Sequence, residues 1–143
     1  MKLTNDQIEE AAYIFEKENG HPGDDYTKRI LAESELTVFS SKELEKIIVD
    51  GFDKGFYNNS DTKTSAYWAL SKRFNHDLIP FFNRRLKSEL EAKNSAAVYQ
   101  LLIALGNMGV PVFNKDREGG SAIYETELNL RDAKEYLKRV NKV

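Results

Sequence analysis

Ile8, Ala11, Ala12 and Phe15 recur at three- and four-residue intervals, the spacing that stacks side chains on one face of an α-helix. Thr4 and Gln7 stand at capping-box distance just before them, and Gly20 offers a stop. The pattern predicts a first helix over about 5–19. His21-Pro22-Gly23-Asp24-Asp25 then reads as a turn. A second helix over about 24–35 carries Tyr26, Ile30 and Leu31. A third opens at Ser41 and Glu43, with Leu44, Ile47, Ile48 and Phe52 inside.

Phe56 to Ser60 reads as a loop, and a fourth helix starts near Asp61 or Thr62, with Ala66, Ala69, Leu70 and Phe74 on its apolar face. A fifth begins at Asn75 or Asp77. Pro80 falls in its first turn, where an amide has no intrahelical partner to lose. Its expected core stripe is Ile79, Phe82, Leu86 and Leu90. A sixth helix, capped by Asn94 or Ser95, is apolar round nearly its whole circumference and should be the most buried. After Gly106, Gly109 and Pro111 comes an irregular segment, 112–129, containing the turn Arg117-Glu118-Gly119-Gly120-Ser121. A last helix over about 131–141 carries Ala133, Tyr136, Leu137 and Val140. No segment alternates with period two. The expected fold is all-α, in one domain spanning 1–143.

One pattern repeats. Ala69-Leu70-Ser71 followed by Ile79-Pro80-Phe81-Phe82 parallels Ala104-Leu105-Gly106 followed by Val110-Pro111-Val112-Phe113. Over residues 62–113 the chain resembles HEAT-like repeats, in which an Ala-Leu-Gly helix end precedes an apolar-Pro-x-Leu/Phe helix start. The resemblance implies a short stack of antiparallel helix pairs whose exposed edges bind partners; such pairs bury their apolar faces only by stacking. A plain helical bundle in which the motif recurs by chance stays open beside it.

Charge changes the picture along the chain. Residues 1–70 hold 8 Lys+Arg against 14 Asp+Glu, and residues 71–143 hold 13 against 9. An acidic front half suits a basic partner.

Catalytic chemistry finds little to work with. The chain has no cysteine and two histidines, His21 and His76, without metal-ligand spacing. No Gly-x-Ser-x-Gly elbow is present, and Gly119-Gly120-Ser121 lacks the strand and lysine of a phosphate loop. The expectation is a protein that is not an enzyme and needs no cofactor or metal. The amino terminus has no apolar signal stretch, and the longest mostly apolar run, Ala96 to Leu105, is about half a membrane span. These point to the cytoplasm and to no membrane partner.

Binding remains. The composition is similar to that of bacterial immunity proteins of contact-dependent and polymorphic toxin systems, some of which use HEAT-like folds. That similarity implies a protein partner, a basic toxin domain met by the acidic half, with Asp24, Asp25, Tyr26, Tyr57 and Asp61 as candidate contacts. The alternative is a small HEAT-like nucleic-acid-binding domain using Arg73, Arg84, Arg85 and Lys87, against which an isoelectric point of about 5.8 argues. A regulatory adaptor is a third reading.

Overall fold

The computed structural model describes residues 1–117 and 120–141. Among them are seven α-helices and no strand, so the protein is all-α. Its helices fall into two compact units, Met1–Arg73 and Phe74–Val143.

The first unit contains α1 (Asn5–Glu18), α2 (Asp25–Glu33), a 3-10 turn (Glu35–Val38), α3 (Ser41–Asp53) and α4 (Ser60–Ser71). Thr4 and Gln7 close the expected capping box: the Gln7 amide donates to Thr4 Oγ1 at 3.2 Å, and the Thr4 amide to Gln7 Oε1 at 2.9 Å. A second box caps α3, where Ser40, one residue ahead of the expected start, exchanges the same bonds with Glu43. α1 packs mainly on α4 and also touches α2 and α3. Both α1 and α4 bury alanines completely, Ala11 and Ala12 on the first and Ala66 and Ala69 on the second; small side chains let helix axes approach closely. Phe52 of α3 stacks flat on Tyr67 of α4, centroids 4.6 Å apart, and meets the Tyr57 ring edge-on at 5.1 Å.

The second unit contains a 3-10 turn (His76–Leu78), α5 (Ile79–Glu91), α6 (Ser95–Asn107), a 3-10 turn (Lys115–Arg117) and α7 (Thr126–Val140). α6 packs on both α5 and α7, burying Val98, Leu101, Leu102 and Leu105 completely. The α5 stripe differs from expectation. Leu78, Phe81, Phe82, Leu86 and Glu89 are buried, while Ile79 and Leu90 are half-exposed. The leading 3-10 turn starts the helix later and turns its inner face by about one residue.

The unit boundary at Arg73 lies inside residues 62–113: α4 packs within the first unit, α5 and α6 within the second. The stretch after Pro111 is irregular as expected, and among the described residues the next α-helix starts at Thr126. Phe74, expected on the apolar face of α4, lies three residues beyond its end at Ser71, with a φ of 50° and 41% exposed.

The irregular stretch is held by charged side chains in addition to a few backbone turns. The Arg117 side chain is buried against α7, donating to Asp132 Oδ2 at 2.7 Å, Asn129 Oδ1 at 2.9 Å and Glu125 Oε1 at 3.2 Å. Its guanidinium also lies over the Phe113 ring at 5.4 Å. Arg131 flanks the cluster, bonding Asp132 and gripping both oxygens of Asp116. Asn129 and Glu125 bond the Ala122 backbone in turn. The expected turn 117–121 includes Glu118 and Gly119, which lie outside the described residues.

Candidate functional site

α1 and α2 frame a hollow of about 380 Å³ lined by Asp6, Glu9, Glu10, Tyr26, Ile30 and Glu33. Four of the six are carboxylates and none is a cation. Asp6, Glu9 and Glu10 follow the i, i+3, i+4 spacing that gathers side chains on one helix face. On α1 that face is turned away from Ile8, Ala11, Ala12 and Phe15, which the core takes. Tyr26, Ile30 and Glu33 share one flank of α2 by the same spacing. Asp24 sets that helix in place, its carboxylate accepting from the Thr27 amide at 2.9 Å. That bond holds Asp24 below the usual carboxylate range.

Tyr26 is 56% exposed, an amphipathic ring beside like-signed charges. Nearby on α1, the Tyr13 hydroxyl donates to Glu9 Oε1 at 2.7 Å. This bond first, then burial and the Glu9 charge, pushes Tyr13 well above the usual phenol range. The Tyr13 ring meets Trp68 edge-on at 6.4 Å, and Lys72 lies over Trp68. An arrangement of this kind suits recognition more than bond making: it offers negative charge and one large ring to an incoming cationic group.

The five candidate contacts part company. Tyr26 lines the hollow, and Asp24 and Asp25 stand exposed at the start of α2 without lining it. Asp61 is exposed in the first turn of α4. Tyr57 is a correction. It is 2% exposed, packed against Phe52 and Gly51, and offers no surface to a partner. Asp6, Glu9, Glu10 and Glu33 were the residues sequence reasoning missed. The α1 trio was visible as helical spacing, but only the fold brings Glu33 beside it.

The basic candidates divide as well. Arg73 belongs to the first unit, where Nε donates to Glu45 at 3.0 Å, Nη1 lies 3.5 Å from Glu18, and the guanidinium covers Phe15. Arg84, Arg85 and Lys87 sit on α5. Arg84 lies over Phe81, and Arg85 is 3.9 Å from the buried Glu89. Lys87 is exposed beside a shallow groove with Leu90, Lys134 and Lys138. Carboxylates engage Arg73 and Arg85, whereas Lys87 stands exposed with Lys134 and Lys138 beside the same groove.

Among the described residues no group of three or more His, Cys, Asp or Glu is placed to hold a metal ion, and no helix is long and apolar enough to cross a membrane.

The chain is similar to Terpene synthase 7 of Dictyostelium discoideum. The two are 28% identical over 106 residues, covering 73% of this chain and 31% of that protein. The chain thus spans about a third of that relative's length. No family model and no solved structure matches it.

Proposed function

We propose that the protein is a non-catalytic binding module that engages a basic protein partner through the α1–α2 hollow. The observation that carries this reading is the ring of Asp6, Glu9, Glu10 and Glu33 around the exposed Tyr26, with no cation in the lining. Complementary charge speeds encounter and excludes wrong partners, while a rigid aromatic at the centre supplies short-range binding energy. The specific partner we infer is a bacterial toxin domain, which makes this an immunity protein of the cytoplasm built on a HEAT-like scaffold. The acidic front half and the packed, all-helical architecture support that inference.

Capture from the source cell with the intact chain as bait tests it, run beside a Glu9→Lys, Glu10→Lys, Glu33→Lys variant checked for native helix content. The expected result is a basic partner retained by the parent chain and lost by the variant. Equal capture by both would overturn the assignment of the hollow. Tight binding of duplex DNA that weakens steeply with salt would replace the protein partner by nucleic acid.

The similarity to Terpene synthase 7 favours a second reading, in which the chain contributes to terpene formation. Incubation with terpene precursors followed by a search for volatile products decides it. Product formed by the purified chain would replace the binding role with catalysis.

A further inference from the structure

The opposite flank of α2 carries the opposite chemistry. At about 100° per residue, Lys28, Leu31 and Ala32 lie roughly across the helix from Tyr26, Ile30 and Glu33. They line a second hollow, about 480 Å³ in volume, completed by Ile14 and Lys17 of α1, by Pro22, and by Thr37 and Phe39. Its size falls within the span of roughly 300–1,000 Å³ usual for small-molecule sites. Ile14, Leu31 and Phe39 form an apolar floor. Pro22 supplies a wall, set by a loop that turns at two left-handed glycines, Gly20 (φ 89°) and Gly23 (φ 78°). At Gly23 a Cβ would stand 2.7 Å from the Thr27 side chain, so the approach of this loop to α2 depends on glycine.

The charges of this hollow run against those of its unit. Residues 1–73 hold fourteen carboxylates and ten cations, yet the lining has two lysines and no carboxylate. Neither Lys17 nor Lys28 has an ion-pair partner among the described residues. Unpaired ammonium groups beside an apolar floor favour a ligand with an anionic head and a hydrocarbon body. A neutral apolar solute gains the floor alone, and a cationic amphiphile meets repulsion.

We propose that this hollow is a binding site for a small amphiphilic carboxylate, its alkyl chain on Ile14, Leu31 and Phe39 and its head group between Lys17 and Lys28. The site is independent of the acidic hollow and of the partner proposed for it.

The test titrates the full chain with decanoate and with decyltrimethylammonium, below their micelle concentrations, following backbone amide shifts. Saturable decanoate shifts centred on residues 14–39 are expected, with the cationic analogue binding at least about tenfold more weakly. Lys17→Glu with Lys28→Glu should weaken decanoate about tenfold or more by reversing the attraction. Ala32→Trp, an exposed position on the floor, should block the site while leaving the core intact. Equal binding of the two amphiphiles, no saturable shift at these residues, or an unchanged affinity in both variants would overturn the proposal. So would preference for an acidic amphipathic peptide over decanoate, which would make the hollow a protein-docking surface.

Discussion

Tyr57 lies so close to the backbone of Gly51 that a methyl group there would stand 2.5 Å from its ring Cε2 and 2.8 Å from its hydroxyl oxygen. Gly51 is helical and buried in α3, where alanine is intrinsically better by about 1 kcal/mol. Packing wins over propensity here. Gly51→Ala should destabilise the first unit by about 1–3 kcal/mol, the usual range for overpacking, measured by urea unfolding. A gain in stability would mean that the Tyr57 ring moves aside freely.

The Tyr57 hydroxyl is itself a liability, since it is buried with no partner in good hydrogen-bond geometry, the Leu3 backbone being the polar group beside it. Leaving a polar group unsatisfied costs about 1–3 kcal/mol. Tyr57→Phe keeps the edge-on contact with Phe52 and removes the burden. The expected result is an unchanged or higher melting temperature.

Alkali should unfold the protein by deprotonating tyrosines. Hydrogen bonding to Glu9 raises Tyr13, and burial raises Tyr57 and Tyr136. Each folded-state value exceeds the unfolded one, so their contribution is complete below about pH 10 and declines as pH climbs through the folded values. Asp24, Glu43 and Asp116 shift the other way, held low chiefly by the Thr27 amide, the Ser40 amide and Arg131. Their contribution is present above about pH 4 and is lost as acid protonates them. Denaturation midpoints against pH should therefore show a plateau between these limits. A continuous rise above pH 10 would contradict the tyrosine assignment.

Arg117→Ala should be the most damaging single change in the second unit. It leaves Asp132, 1% exposed, with one cation fewer, and breaking a buried pair from one side costs about 3–5 kcal/mol. Arg117→Lys keeps the charge but not the fork that reaches Asp132, Asn129 and Glu125 together, so it should rescue only part of the loss. Urea unfolding of both variants measures it, and a loss below about 1 kcal/mol for Arg117→Ala would show that the network adds little.

Lys93 ends α5 with a φ of 57°, and the next amide, Asn94, donates back to the Glu89 carbonyl at 3.0 Å. Glycine is the residue such a cap favours, because a side chain strains the left-handed backbone. Lys93→Gly should raise stability by about 0.5–1 kcal/mol, read from the chemical denaturation midpoint.

Sequence periodicity reached as far as hydrophobic spacing reaches. Thr4 with Gln7 announced α1, and the unbroken apolar circumference of 98–105 announced the helix at the centre of the second unit. It failed where the interior is polar. α7 begins at Thr126, about a turn and a half before the expected start, because Asn129 and Asp132 of its first turns are buried against Arg117 rather than against hydrocarbon. A pattern that counts asparagine and aspartate as outside residues cannot see that face. Tyr57 shows the converse problem: an aromatic in a loop is equally suited to core or surface, and only Gly51 and Phe52 beside it decide. The acidic hollow was half legible. Spacing within α1 grouped three carboxylates, but their meeting with Glu33 and Tyr26 depends on how α2 lies on α1, which no local pattern carries.

The buried guanidinium also says how the irregular segment can change over time. A strand or helix spreads its specification over every residue that makes a backbone bond. Here a few side chains carry much of it, chief among them Arg117 with its acceptors Glu125, Asn129 and Asp132. Those four positions can therefore change only together.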